Sequence, residues 1–80
     1  MSFTFKQRAN RRYVNSKIIC FIEYDKDSLE LKIGFNDGIT GYYKNIPREL
    51  VAQFDAAESK GSFFYENLYN SGFNYYLESA

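Results

Sequence analysis

The chain has no histidine, one cysteine and one proline in 80 residues. The absence of histidine removes the commonest general base and metal ligand. It also leaves Cys20 without the partner that a thiol protease needs. A single cysteine cannot form an intrachain disulfide. Because Cys20 lies within the apolar run 18–22, we expect it to be buried as a small hydrophobic side chain, which fits a reducing compartment.

Other signals of catalysis and of membrane insertion are also missing. The glycines lack the spacing and the following Lys-Ser/Thr of a phosphate-binding loop. Asp25, Asp27 and Glu30 are close in sequence, but their spacing is not that of a calcium loop. No apolar stretch approaches ~18 residues, so we predict no membrane-spanning segment. We therefore predict a protein that is not an enzyme, binds no cofactor or metal, and is cytoplasmic in a bacterium, or in the host if phage-encoded.

Charge is balanced overall but uneven along the chain. Ten Lys and Arg residues balance ten Asp and Glu residues. The charged residues among positions 1–20 are all basic, whereas those among positions 50–80 are four acidic residues and one lysine. The neutral total argues against a broad nucleic-acid footprint, although the basic end is able to form a local one. We predict a basic N-terminal arm over residues 1–13 and a single domain over residues 14–80.

The first half of that domain has the pattern of an antiparallel meander. A continuous apolar run predicts a strand over residues 14–25. Alternating apolar and polar residues predict a second strand over residues 29–35, and residues 39–44 form the third. The connections are short and carry turn residues, Asn36-Asp37-Gly38 being a hairpin signal. Consecutive strands joined in this way are antiparallel.

Two helices follow in the sequence. Pro47 suits the first turn of a helix, and apolar residues recur at helical spacing as far as Ala57. Gly61 is expected to end this helix, and Ser62 to cap a second, shorter one. The fold class is therefore α+β: a three-stranded antiparallel meander followed by two helices. An extra edge strand is expected at a terminus, from residues 73–77 or from Phe3 and Phe5.

Aromatic residues are in surplus. The chain has eight Phe and eight Tyr, and half of residues 63–76 are aromatic. A domain of 80 residues cannot bury sixteen rings. We therefore expect several rings at the surface, where they typically mark a binding face.

Several short motifs stand in order along the chain: Ser16, Tyr24-Asp25, Leu29-x-Leu31…Phe35-x-x-Gly38, Tyr43-x-x-Ile46-Pro47 and Ala57-x-Ser59-Lys60-Gly61-x-Phe63-Phe64…Leu68. This set resembles a known family, the KTSC domain, and the last motif is the most specific piece. This small domain occurs alone in bacterial and phage proteins and is appended to some lysyl-tRNA synthetases. The resemblance implies RNA binding, because of the attachment to a synthetase. The family's central Tyr-x-Tyr falls on Gly41-Tyr42-Tyr43, so only Tyr43 matches it.

The first functional hypothesis is a module that binds RNA, another single-stranded nucleic acid or a nucleotide. Exposed Tyr rings stack on bases while neighbouring Arg and Lys side chains contact phosphates. Two alternatives stay open: Tyr43 packs in the core, and Lys60 caps helix carbonyls. The candidate binding residues are Tyr42, Tyr43, Lys44, Lys60, Arg8, Arg11 and Arg12.

The second hypothesis is a small phage-type adaptor or host-defence inhibitor that binds a host protein. Tyr and Arg are common hot-spot residues, and the C-terminal aromatic cluster offers ring area and hydroxyl groups. An unpaired edge strand could add to a partner's sheet or form a homodimer. The candidate protein-contacting residues are Tyr65, Tyr75 and Tyr76.

Overall fold

A computed structural model describes residues 10–79 as a five-stranded sheet with a helical layer on one side. The strands lie in chain order and each pairs antiparallel with the next. The helical layer connects the fourth and fifth strands, and α2 runs directly into a π-helical segment, Tyr65–Tyr69. The elements are β1 (Asn10–Tyr13), β2 (Ile19–Asp25), β3 (Glu30–Phe35), β4 (Ile39–Tyr43), α1 (Arg48–Ala56), α2 (Lys60–Phe64) and β5 (Tyr75–Ser79).

Tight turns fix the central hairpins. Between β2 and β3, the Asp25 carboxylate accepts a hydrogen bond from the Asp27 backbone N–H at 2.9 Å. Between β3 and β4, Gly38 has φ of 93°, a backbone conformation that glycine adopts without steric cost. The predicted turns at both places are confirmed.

The core lies between one face of the sheet and the helices. Leu31 and Ile33 on β3 are fully buried, as are Ile46 before α1 and Phe54 on α1. Because side chains alternate across a strand, the residues between them point to the opposite face. The buried hydrophobic set of the described chain is Ile19, Ile22, Leu31, Ile33, Tyr43, Ile46, Phe54, Phe64 and Leu68.

The predicted α+β class, with an antiparallel sheet and two helices, is confirmed. The sheet has five strands, however, and not only the three of the predicted meander. Residues 10–13, within the predicted arm, pair with β2 as a strand. The C-terminal edge strand covers Tyr75–Ser79 instead of residues 73–77. Phe3, Phe5 and Arg8 lie outside the described residues. The central strands were recognisable from a continuous apolar run or from alternation, whereas β1 is short and polar and carries neither pattern.

The predicted boundary between the helices is wrong. Helix α1 ends at Ala56 because Ala57 is extended, with φ −68° and ψ 136°. Gly61 lies inside α2 and does not end α1. The cap of α2 is Ser59, whose Oγ accepts a hydrogen bond from the Ser62 backbone N–H at 3.2 Å, so Ser62 receives the cap that it was expected to provide.

The prediction that Cys20 is buried is also wrong, because its side chain is exposed. The pairing of β2 with β3 shifts register between Ile19 and Phe21. Such an irregularity leaves a residue unpaired and turns its side chain away from the regular alternation. Cys20 occupies that position, while Ile19 stays in the core.

Candidate functional site

The face of the sheet opposite the helices carries rings and charged side chains, and we call it the open face. The alternation of side chains places Lys32 and Tyr42 on it, because their strand neighbours Leu31, Ile33 and Tyr43 belong to the core. None of the helices described within residues 10–79 packs on this side. The open face includes Arg11, Tyr13, Phe21, Glu23, Glu30, Lys32, Tyr42, Lys44, Tyr76 and Glu78.

Five of these side chains form one row across the whole sheet. The strand register pairs Arg11 with Glu23, Glu23 with Lys32, Lys32 with Tyr42, and Tyr42 with Tyr76. Side chains directly opposite on neighbouring strands are close enough to interact. Each strand of the sheet therefore contributes one member, and we call this set the cross-sheet row.

Every neighbouring pair in the cross-sheet row is in contact. Arg11 Nε lies 2.7 Å from Glu23 Oε1, and Lys32 Nζ lies 3.5 Å from Glu23 Oε2. Lys32 Nζ is also 5.5 Å from the centroid of the Tyr42 ring. The Tyr42 and Tyr76 rings stack, with centroids 4.6 Å apart and an interplanar angle of 9°. Charge at the β1 end of the row thus gives way to aromatic surface at the β5 end.

Cation–ring contacts recur on both sides of the row. The Arg11 guanidinium carbon is 4.0 Å from the centroid of the Phe21 ring, and Lys44 Nζ is 5.3 Å from that of Tyr76. A cation within about 6 Å of a ring centroid is attracted by the ring's electron density. All three cations of the open face therefore lie beside a ring.

Side-chain hydrogen bonds raise the pKa of three groups on this face. Tyr42 Oη donates a hydrogen bond to Glu78 at 2.8 Å, and this bond raises the pKa of Tyr42 to about 12. The hydrogen bond from Lys44 to Glu30 raises the pKa of Lys44. Interactions with Tyr13 and Glu23 raise the pKa of Arg11. Arg11 and Lys44 thus stay charged throughout the physiological range.

A second exposed surface lies along β5 on the helix side. Tyr75 stacks on buried Tyr43, with ring centroids 5.2 Å apart, and is 52% exposed. Tyr65 and Tyr69 of the π-helical segment meet edge to face at 5.4 Å. We call Tyr65, Tyr69, Tyr75 and Leu77 the edge cluster, since each is at least half exposed.

Comparison with known families matches the KTSC domain over residues 15–73. The chain belongs to the KTSC domain family. Among solved structures, it is similar to a KTSC domain protein from Yersinia pestis, with 30% identity and a TM-score of 0.76. The likeness covers 91% of this chain and 99% of that one. No curated protein matches the sequence.

The KTSC resemblance drawn from the motifs is therefore confirmed. Two of its residues make hydrogen bonds that hold the backbone of the fold in place. Ser16 Oγ accepts hydrogen bonds from the backbone N–H groups of Ile18 and Ile19, both at 3.3 Å. Tyr24 Oη donates to the Ile46 carbonyl at 2.6 Å, tying β2 to the segment before α1. These contacts give Ser16 and Tyr24 a structural role in the fold.

The predicted nucleic-acid residues of this KTSC domain do not lie together. Tyr42, Lys44 and Arg11 share the open face. Tyr76, which was predicted to contact a protein, lies on the same face. Tyr43 is only 2% exposed, and its burial raises its pKa to about 12, so its ring is not accessible to a base.

Two other predicted cations of the KTSC domain lie on the helix side of the sheet. Lys60 Nζ donates to the Ala57 carbonyl at 2.6 Å, which is the capping alternative. Arg12 points to the helix side, where its Nη1 is 2.6 Å from Asp55 Oδ2. Both are therefore separated from the open face by the sheet.

Sequence reasoning missed Lys32, Phe21 and Tyr13 as members of the open face. Their neighbours are set by register between strands, and no local motif encodes it. The one usable signal was the hairpin turn at Asn36-Asp37-Gly38, from which counting outward places Lys32 near Tyr42. Tyr65, Tyr75 and Tyr76 are exposed as predicted.

Metal ligation and membrane crossing find no support in the described part of the chain. Within residues 10–79, no three His, Cys, Asp or Glu side chains are arranged to hold a metal ion. Over the same residues, no helix is long and apolar enough to cross a membrane.

Proposed function

We propose that this KTSC domain is a non-catalytic module that binds single-stranded nucleic acid, or a nucleotide, on the open face. The observation that carries the proposal is the pairing of each cation with a ring: Arg11 with Phe21, Lys32 with Tyr42, and Lys44 with Tyr76. Aromatic rings beside cations are the arrangement that binds single strands, because bases stack while phosphates meet the positive charges.

The two ends of the open face offer the accessible ring surface. Tyr13 on β1 is 71% exposed, and Tyr76 on β5 is 50% exposed. The Tyr42 ring lies between Lys32 and Tyr76, so it supports the Tyr76 ring instead of receiving a base itself. A base stacked on an exposed ring contributes about 1–3 kcal/mol.

The carboxylates of the open face already pair with the cations that a phosphate would bind. Glu23 holds Arg11 and Lys32, and Glu30 holds Lys44. Ion pairs near the surface contribute only about 0–1 kcal/mol each. A phosphate can therefore replace Glu23 or Glu30 as the partner of these cations. Binding of this kind weakens as salt concentration rises.

Fluorescence anisotropy with short single-stranded RNA and DNA, over a series of salt concentrations, tests the proposal. Glu23→Gln and Glu30→Gln should tighten binding several-fold, because each removes a carboxylate that competes with phosphate. Tyr76→Ala should weaken binding about tenfold or more, since it removes a base stack worth about 1–3 kcal/mol. Lys32→Ala should weaken binding and reduce its dependence on salt, since it removes a phosphate contact.

Lys60→Ala is the matched control, because Lys60 is a cation on the helix side of the sheet. It should leave the affinity for nucleic acid unchanged. The proposal fails if no anisotropy change occurs even at low salt. It also fails if Lys60→Ala weakens binding as much as Lys32→Ala does.

A further inference from the structure

The outer edge of β5 carries backbone groups directed away from the sheet. The Asn74 carbonyl accepts a hydrogen bond from the Lys44 N–H at 2.9 Å, so the backbone of Asn74 faces β4. Alternate residues of a strand direct their backbone groups to opposite sides. Tyr76 and Glu78 therefore also face β4, whereas Tyr75, Leu77 and Ser79 face outward. Within residues 10–79, no strand pairs with this edge.

The edge carries only one of the usual protections against strand pairing, the charge of Glu78, whose backbone groups face β4. Natural edge strands are blocked by charged side chains, above all lysine, by proline or by a bulge. Strand β5 has the sequence Tyr-Tyr-Leu-Glu-Ser, and its pairing with β4 runs without a register shift. Its side chains are exposed along its whole length. An edge of this kind is suited to pairing with another strand.

We propose that the partner is a second copy of this chain, whose β5 pairs antiparallel about a two-fold axis at Tyr76. In this register Tyr75 faces the partner's Leu77, and Leu77 faces the partner's Tyr75. These are the residues with outward backbone groups, so each pair exchanges both of its N–H···O bonds. On the helix side, the two edge clusters meet across the axis.

The cross-sheet row selects this register on the open face. Tyr76 meets the partner's Tyr76 as a non-hydrogen-bonded pair, in which the Cα atoms are only about 4.5 Å apart. Since Tyr76 already stacks on Tyr42, the two rows join into one that crosses both sheets. The exposed outer side of the Tyr76 ring then contacts a ring of the same kind, so this ring stacks either on its own copy in the dimer or on a base in the monomer.

Charge complementarity supports a copy of the same chain as the occupant. Around an axis at Tyr76, Glu78 lies opposite the partner's Asn74, which neighbours Lys44 on the adjacent strand. Each Glu78 thus shares a row with the partner's Lys44, and no like charges are opposed. An axis at Leu77 would instead set Glu78 against the partner's Tyr76, and the two Tyr76 rings would no longer meet.

Cysteine cross-linking reads the register directly. In a Cys20→Ser background, which removes the only native thiol, Tyr76→Cys is the one substitution that meets its own copy on the axis. Its Cα separation suits a disulfide, which needs roughly 4.4–6.8 Å. Mild oxidation should convert this variant to a covalent dimer. Leu77→Cys, which would face Tyr75, should remain largely uncross-linked.

Light scattering after size exclusion measures the assembly of the unmodified chain. A mass twice that of the monomer is expected at high protein concentration. Leu77→Pro removes an N–H that faces away from β4, so it should halve the mass while leaving the circular dichroism unchanged. Leu77→Lys should act in the same direction without altering the backbone.

Three results would overturn the proposal. The first is a wild-type monomer at every concentration. The second is cross-linking of Leu77→Cys as efficient as that of Tyr76→Cys. The third is a stoichiometric complex with a different protein that Leu77→Pro abolishes, with no homodimer. None of these measurements involves nucleic acid, so they decide the dimer separately from the open-face function.

Discussion

The ring of Phe21 covers Gly34 on the neighbouring strand. A Cβ atom built at position 34 would lie 2.0 Å from Phe21 Cε2, a distance that no real contact reaches. Gly34 is buried although it sits on the open face, because the ring shields its backbone. The glycine thus allows Phe21 to lie close to the sheet and to receive the Arg11 guanidinium on its ring.

Gly34→Ala should therefore destabilise the domain by about 1–3 kcal/mol, the usual cost of forcing extra atoms into a packed site. Urea denaturation of Gly34→Ala measures this cost. In a Phe21→Ala background the same substitution should cost much less, because the clashing ring is gone. Equal penalties in the two backgrounds would show that the strain comes from somewhere other than Phe21.

Tyr42 should make the domain sensitive to alkaline pH. Its pKa in the folded state is about 12, raised from 10.0 by the hydrogen bond to Glu78. A pKa that is higher in the folded state means that folding favours the neutral phenol. This stabilisation is complete below pH 10 and is lost as the pH rises through 12.

The measurement is the unfolding free energy of wild type and Tyr42→Phe at about pH 8 and in the range 10–12. The difference between the two proteins should shrink over that range, because the phenol of the wild type ionises. Glu78→Gln is the matched control, since it keeps the hydroxyl but removes the charged acceptor. A pH profile of Tyr42→Phe parallel to that of wild type would contradict the assignment.

Ser59 should contribute more to stability than Ser62, although both lie at the start of α2. Ser59 Oγ accepts from the Ser62 N–H and so caps α2. Ser59→Ala should cost about 1 kcal/mol, the typical loss for an N-cap. Ser62→Ala keeps the backbone donor and should cost less. Thermal or urea unfolding of the two variants ranks them, and the reverse order would place the cap at Ser62.

The parts of the fold that follow local rules were predictable from the sequence. The hairpin at Gly38 depends on one turn, and the helix after Pro47 depends on a proline at its start. The end of α1 was not predictable in the same way. Ser59 and Ser62 are both suitable caps three residues apart, so the residue types alone do not decide between them.

The open face was predictable only in part, because it depends on pairing between distant residues. Tyr42 and Tyr76 were each expected at the surface, but they belonged to two different hypotheses. The β4–β5 register stacks them, and no short-range pattern encodes that contact. Strand alternation, by contrast, places Tyr43 on the Ile39 side and predicts its burial, which the structure confirms.

The ends of the cross-sheet row lie outside the segment that defines the family. The family match covers residues 15–73, whereas Arg11 and Tyr76 belong to the first and last strands of the sheet. Their replacement would leave the nine-residue core untouched. The outward-facing surface at both ends of the row can therefore be changed by substitution without altering the buried side chains of the family's segment.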